Sequence, residues 1–334
     1  MSRYAEAHAN LAGPGDARPT ALQIIKDEGA EGKLAGKVIV ITGTSSGLGI
    51  ETARALSLTG AKLFLTARNL EKAKTALGSL LESELAELIK MDNTSLSSVR
   101  AAAETILQKS NGQVNILINN AGVMAIPKLE YTKDGVEMQF GTNHLSHFLF
   151  FQLLKPALLA SASPELSSRV VNLSSSAHHI APINESGNYN FEKGGYDGWV
   201  SYGQSKTANI YMANEIERRY GSRGLHATSV HPGVIFTGLM QHVDPATLKE
   251  LKNEELAKSM KSPEQGAATT VWAAIGQEWE HKGGEFLADC GRTSLASGDD
   301  GIDSKGYAAH AHNPEGEARL WRDSLKMVGL QDDQ

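Results

Sequence analysis

Short apolar runs rich in β-branched residues recur along the chain, each followed by a stretch whose apolar positions repeat at helical spacing. Lys37–Thr42 (KVIVIT), Lys62–Ala67 (KLFLTA), Glu87–Asp92, Val114–Asn119 (VNILIN), Arg169–Ser174 (RVVNLS), His226–His231 and Gly284–Ala288 read as seven strands. Helices are predicted over Ile50–Leu58, about 70–83, about 95–109, about 134–160, about 201–220 and Gln265–Gly276. The strands are apolar on both faces, so both faces need cover. Strand–helix alternation of this kind predicts one α/β domain, a doubly wound parallel sheet with helices on both faces. The rhythm assigns residues 37–290 to that domain, with an extension at 1–36 and another at 291–334 packing on it. Two irregular stretches, Ser176–Val200 and Leu239–Ser262, interrupt the alternation, and loops of that length in compact domains are functional or disordered.

Composition narrows the class. The 334 residues are 41% apolar, enough for a large core. A lone cysteine, Cys290, rules out an internal disulfide and any multi-cysteine metal site, and reads as a packed core residue. The formal charge of −6, with no long like-charge block, argues against nucleic acid or an anionic membrane as partner. The most apolar stretch, Phe148–Leu154, contains Gln152 and runs into Lys155 and Pro156, too short for a membrane span. The first 36 residues contain no signal-peptide core, and Asp332-Asp333-Gln334 matches no retention tail. A cytoplasmic location is the expectation.

The first strand leads into Thr42-Gly43-Thr44-Ser45-Ser46-Gly47-Leu48-Gly49. Gly43 allows a sharp exit, Gly47 lets backbone approach a phosphate, and Gly49 lets helix pack close on sheet. The N–H groups opening the next helix then face an anion. The spacing is GxxxGxG, and taken alone such a turn fits a nucleotide cradle or a structural bend equally. The second strand ends Thr66-Ala67-Arg68-Asn69, with no acid before Glu71. An acid there would bind a ribose hydroxyl; Arg68 instead suits a 2′-phosphate, favouring NADP(H) over NAD(H). The alternative is a solvated surface arginine.

Further segments follow in order: Asp92, Asn119-Asn120-Ala121-Gly122, Asn143, Ser175, Tyr202-Gly203-Gln204-Ser205-Lys206 and Pro232-Gly233-Val234-Ile235-Phe236-Thr237. With these segments the chain resembles the short-chain dehydrogenase/reductase family over about residues 37–290. NILINNAGVM (115–124), NHLSHFLF (143–150), RVVNLSSSAHH (169–179) and GGEFLADC (283–290) resemble its retinol-dehydrogenase and WW-domain-oxidoreductase-like branch. The leader and the helix at 262–274 resemble fungal members of it. The resemblance implies a Rossmann fold and a catalytic set of Asn143, Ser175, Tyr202 and Lys206. It places Asp92 and Asn93 near the adenine, Asn119 beside the cofactor in the central strands, and Thr237 at the nicotinamide carboxamide. Ser45, Ser46, Leu48, Ala121, Gly122, Pro232, Gly233 and Val234 complete the implied cofactor site, with Tyr202 and Lys206 reaching its ribose end. Ser176 leaves the serine assignment open by one position.

The implied reaction is hydride transfer between a nicotinamide and an alcohol or ketone carbon. Tyr202 can exchange the proton if its pKa falls from ~10. Lys206, one helical turn on, supplies a positive charge that favours tyrosinate. Ser175 would hold the substrate oxygen, and Asn143 would disturb its helix and hold a water that relays protons. Ile180, Ile183, Tyr189, Phe191, Tyr196 and Trp199 of the first loop, and Leu239, Met240 and Leu248 of the second, are candidate pocket walls. They suit a bulky apolar or aromatic substrate, in fungal relatives often a secondary metabolite; the alternative is that they only pack the loops down. An NAD-linked alcohol dehydrogenase and a non-catalytic redox sensor are the competing functions. Homodimers are common in the family. The pairs His144/His147 and His178/His179 have no evident third ligand, so no metal site is assigned, and His310 and His312 read as solvated tail residues.

Overall fold

The apolar runs assemble into one eight-stranded sheet in a computed structural model that describes residues 2–244, 254–298 and 301–332. The strands are β1 (Val38–Thr42), β2 (Lys62–Ala67), β3 (Ala86–Lys90), β4 (Ile116–Asn119), β5 (Ser168–Leu173), β6 (Leu225–His231), β7 (Phe286–Ala288) and β8 (Gly291–Arg292). Their order is β3-β2-β1-β4-β5-β6-β7-β8, parallel throughout except for β8, which turns back along β7. The chain runs outward from β1 to β3, then returns to lay β4 on the other side of β1. A crevice opens at such a reversal, beyond the carboxyl ends of the strands.

Successive side chains of a strand point to opposite faces, and β1 shows the consequence. Val38 and Val40 enter one core with Phe64, Leu117, Val170 and Phe148; Ile39 and Ile41 enter the other with Leu65, Ile118, Leu56 and Trp272. Helices α2 (Leu48–Ser57), α3 (Leu70–Leu77), α4 (Leu96–Lys109), α5 (Ser146–Ser161), α6 (Gly198–Tyr220) and α7 (Ala268–Ile275) cover these faces. The predicted helix over 134–160 starts at Met138 and passes through a π-helical turn, Gly141–Leu145, before α5. Helix α6 begins earlier than the apolar pattern suggested because the Asp197 carboxylate accepts from the N–H groups of Trp199 and Val200, both at 2.8 Å.

Both terminal segments carry structure that the hydrophobic pattern did not announce. In the leader, Thr20 caps a short helix α1 (Ala21–Asp27) that buries Ile24 and Ile25 in the core shared by α2 and α7. Near the other end, Asn313 caps α8 (Pro314–Met327), which lies on α5 and α6. Its few apolar residues, Leu320, Trp321 and Leu325, are fully engaged. Trp321 meets Phe148 edge-on at 5.0 Å, and the Arg219 guanidinium lies 4.8 Å over its ring. Glu317 is buried between Arg218 and Asn214. Cys290 is buried, in the turn between β7 and β8, and burial pushes its thiol up to about 12, so it stays an inert thiol. Truncating Trp321 to alanine leaves a cavity between α5, α6 and α8. Trp321→Ala is expected to cost about 3–5 kcal/mol in urea unfolding.

Candidate active site

The glycine turn is built against the loop that follows β4. Gly43 has φ +74°, and a side chain there would begin 2.7 Å from the Ala121 Cα. One on Gly49 would begin 2.4 Å from the Gly43 carbonyl oxygen. Gly47, at φ +63°, faces the Thr237 side chain at 3.4 Å and caps α2 with no side-chain partner, so the first N–H groups of α2 remain open. A side chain on Gly122 would begin 3.2 Å from Asn143 Oδ1 and 3.7 Å from Lys206 Nζ. The turn, Ala121, Gly122 and Thr237 therefore lie together as one site, with Asn143 and Lys206 beside Gly122.

Its floor is held by a hydroxyl and an imidazole. Thr42 Oγ1 accepts the N–H groups of Asn120 and Ala121, both at 2.9 Å, and donates to His147 Nε2 at 2.9 Å. His147 Nδ1 donates to the Asn143 carbonyl at 2.9 Å, which fixes the tautomer because a carbonyl can only accept. Asn93 Nδ2 adds a donor to His147 Nε2 at 3.2 Å and another to Ser146 Oγ at 2.8 Å. Burial and the nearby Lys206 charge hold His147 neutral, its pKa down to about 4. His144 turns the other way, onto Ser324 of α8 at 3.0 Å. The Asn120 amide binds the carbonyls of Thr42 (2.8 Å) and Gly43 (3.2 Å).

Asn143 sits in the π-helical turn. Its Oδ1 accepts from the Val123 N–H at 2.8 Å, and its Nδ2 donates to the Val123 carbonyl and to Ser205 Oγ, both at 2.9 Å. The disturbed helix that the sequence suggested is present, and the amide is occupied by protein partners.

Tyr202 and Lys206 lie on α6, both buried. Close packing sets their height: a side chain on Gly203 would begin 2.7 Å from the Ala177 carbonyl oxygen and one on Gly198 2.4 Å from that of Ile126. Lys206 Nζ donates to the Leu173 carbonyl at 3.1 Å and lies 5.3 Å from the Tyr202 ring centroid. Of the three serines after β5, Ser174 binds the Lys206 carbonyl at 2.8 Å and the Ser176 N–H binds His231 at 3.1 Å. Ser175, whose Oγ accepts from the Ala177 N–H at 3.1 Å, is the one whose hydroxyl lies close enough to the Tyr202 phenol to act on its pKa. Burial pushes Lys206 down to about 8. It pushes Tyr202 up, and the Ser175 hydroxyl only partly opposes this. Burial of the phenol thus acts against the downward shift that proton exchange requires, and Lys206 points to a carbonyl.

The other expected positions are more dispersed. Asn119 is buried and donates to Asn172 Oδ1 across the strands at 2.8 Å, its own Oδ1 unpartnered. Asp92 follows β3; burial raises its carboxyl, but Lys133 (2.9 Å) and Thr94 (2.8 and 3.0 Å) outweigh this and hold it below the usual range. Arg68 is exposed just past β2 with no ion pair among the described residues. Ser45 and Leu48 are half-buried and Ser46 is exposed. Pro232, Gly233 and Val234 are half-buried beyond β6, and the Val234 carbonyl accepts from the Lys261 N–H at 2.9 Å. These residues fit a nicotinamide dinucleotide: a turn packed too closely for a Cβ at Gly43 or Gly49, open N–H groups on a ten-residue helix, and a guanidinium past β2 with no ion pair among the described residues.

The loops divide in a way the sequence left open. Trp199 meets Tyr202 edge-on at 6.2 Å, and Met124, Ala125, Ala177, Leu239, Met240 and Val243 cluster with them. Ile183 and Tyr189 instead pack into the main core, Tyr189 stacked on Phe140 at 4.9 Å and donating to Asp323 at 2.6 Å. Tyr196, packed edge-on by Phe191 at 5.3 Å, donates to the Ile126 carbonyl at 3.0 Å, and Ile180 is exposed. Leu248 lies outside the described residues. His310 is half-buried, its Nε2 2.8 Å from the His178 carbonyl, and His178 accepts from the Ala308 N–H at 3.0 Å, so His310 is no solvated tail residue. Thr42 and His147 were missed as site residues; the one sequence signal was that His147 stands four residues after Asn143.

The family model for short chain dehydrogenases matches residues 37–248. The short-chain dehydrogenase/reductase prx1 of Penicillium roqueforti is 51% identical over 329 residues, 98% of this chain and 95% of the relative. Human retinol dehydrogenase 12 is 35% identical, with 89% and 88% covered. The solved active-site complex of Pseudomonas aeruginosa RhlG with NADP is 25% identical, with a TM-score of 0.62 over 78% of this chain and 96% of that one. Among the described residues no helix is long and apolar enough to cross a membrane.

The Lys206 shift has a measurable sign. An unfolded lysine titrates near ~10.4, so between about 8 and 10.4 the unfolded state holds more protons and stability rises with pH. The cost of burying the charge is complete below that window and gone above it. Lys206→Met removes the cost, so in urea unfolding its stability gain over wild type is expected to shrink from about pH 7 to about pH 10. A gain independent of pH would mean that Lys206 keeps its proton throughout.

Proposed function

The chain belongs to the short-chain dehydrogenase/reductase family of oxidoreductases, in its retinol-dehydrogenase-like branch, and from that premise we propose that it interconverts an alcohol and a ketone on a bulky apolar or aromatic small molecule using NADP(H). The Ser175 hydroxyl beside the Tyr202 phenol, with Lys206 beneath the same ring and the glycine turn alongside, carries this reading.

The cofactor would be held by Gly43–Gly49 at its phosphates, Arg68 at the 2′-phosphate, Asp92 and Asn93 at the adenine, and Asn119–Gly122 with Pro232–Thr237 toward the nicotinamide. Bound NADP(H) supplies or accepts the hydride. Ser175 Oγ and Tyr202 Oη both donate to the substrate oxygen, which aligns it and stabilises the charge it gains. In reduction Tyr202 gives up its proton; in oxidation it takes one. Because burial keeps the phenol protonated, reduction starts from the form already present. The Lys206 charge under the ring stabilises the tyrosinate once the proton has left. Asn143 holds Val123 by both backbone groups and so keeps Gly122 against Lys206.

Trp199, Met124, Leu239, Met240 and Val243 offer a ring edge, two thioethers and aliphatic surface around Tyr202. Such a wall favours flat or bulky apolar substrates over sugars. The exposed Arg68, with no ion pair among the described residues, and the NADP complex of RhlG support the phosphorylated cofactor.

Tyr202→Phe keeps the ring and removes the proton. NADPH oxidation with an aromatic ketone panel is expected to slow by about 10²–10⁴, while NADPH binding, read by fluorescence, stays near wild type; wild-type turnover would refute the mechanism. Arg68→Asp replaces a phosphate partner with a charge that repels it. The ratio of kcat/KM for NADPH over NADH is expected to fall at least tenfold, a difference of about 1.4 kcal/mol. An unchanged ratio would place the phosphate contact elsewhere.

A further inference from the structure

The leader before α1 is stitched to a segment far along the chain. Arg18 is only 3% exposed, a burial that a guanidinium tolerates only when its donors are used. Its Nε donates to Asp16 Oδ1 at 2.8 Å. Its Nη1 donates to the Ser259 carbonyl at 2.6 Å, and its Nη2 to those of Met260 (2.5 Å), Gly13 (3.1 Å) and Lys258 (3.4 Å). Residues 258 and 259 end the helical segment Glu254–Ser259, whose last carbonyls have no partner within the helix. Gln265 adds a second attachment, accepting from the Gly15 N–H at 2.9 Å and donating to the carbonyls of Asp16 and Arg18, both at 3.1 Å.

What Arg18 holds lies directly behind the Pro232–Thr237 segment. The Lys261 N–H donates to the Val234 carbonyl. The Lys261 side chain crosses Gly233 so closely that a side chain there would begin 2.9 Å from its Cδ and Cε. Gly266 is pressed between Ile235 and Leu48, where a Cβ would come within 2.7 and 2.8 Å of their side chains. Lys261 Nζ pairs with Asp289 at 2.7 Å, and His8 of the leader faces the same carboxylate at 3.7 Å. The leader thus reaches this wall from two sides.

We propose that Arg18 is a positioning residue of the cofactor site, fixing residues 258–261 and, through Lys261, the Pro232–Thr237 segment. This rests on the reading of that segment as cofactor-binding. Loss of the guanidinium leaves four backbone carbonyls without their shared donor, and the strap can then move away from Gly233. A lysine brings the charge without the planar fork and cannot serve the same carbonyls.

The test is NADPH affinity of the full-length protein, measured by fluorescence titration, with thermal unfolding alongside. Arg18→Ala is expected to raise the Kd by about threefold to thirtyfold, and millimolar guanidinium chloride to restore much of it. Arg18→Lys should fall between. A merely structural role would lower Tm and the active fraction, leave the Kd of the folded protein unchanged and show no rescue; that result overturns the proposal. If Arg18→Ala does not fold, Asp16→Asn, which loosens the guanidinium without removing it, is read in the same way, and an unchanged Kd again overturns it. Wild-type protein that binds neither NADPH nor NADH would overturn the cofactor reading, and the proposal with it. Normal wild-type binding with an indifferent variant would overturn the proposal alone.

Discussion

A single hydroxyl at the end of β1 ties the loop after β4 and the π-helical turn of Asn143 to the sheet. Thr42 uses its whole capacity, two acceptances from Asn120 and Ala121 and one donation to His147. The first two hold the loop after β4 against the glycine turn. The third runs through a buried neutral imidazole to the carbonyl of Asn143, whose side chain holds Val123. Asn93 joins the same imidazole from the third strand's loop. Thr42, Asn143 and His147 are buried and Asn93, Asn120 and Ala121 half-buried, so losing one partner would leave buried groups unsatisfied at about 1–3 kcal/mol apiece. Such a network has one low-energy arrangement, and that arrangement places Gly122 beside Lys206.

The burial that makes the network firm also sets the resting chemistry. In a dry site Tyr202 keeps its proton, and Lys206 is drawn down to about 8. Charge is unwelcome there until a substrate and cofactor bring compensating groups, so the site is arranged for a charge that arises during reaction. The terminal segments brace it from behind. Arg18 and His8 hold the strap behind Gly233, while the Ala308 N–H and His310 hold the turn that follows Ser175.

The hydrophobic pattern alone was sufficient for the doubly wound sheet. The apolar strands β1 to β6, of four to seven residues, and the helical runs between them satisfy local rules that distant contacts had no reason to override. The glycine turn was legible from its place after the first strand, whereas Tyr202, Lys206 and a serine after the fifth strand were legible through the family resemblance, since a tyrosine and a lysine four apart on a helix are common by chance. Helices α1 and α8 were not, because each commits only a few apolar positions in a polar run. Ile24, Ile25, Leu320 and Trp321 become a helix face only when there is a groove to receive them.

Residue types at fixed short spacing were therefore determined by the sequence itself: the Tyr202–Lys206 turn, the bend at Gly43–Gly49, the parallel sheet. The tertiary structure alone decided which serine faces Tyr202, which way each histidine of the pair turns, and which loop aromatics reach the pocket. It also decided that Arg18 lies under a segment 240 residues distant in the chain. These outcomes depend on partners brought from remote positions, and hydrogen bonds between buried groups are assigned only once burial has chosen the neighbours. A desolvated phenol rises in pKa and a desolvated ammonium falls, and neither direction is written in the local sequence.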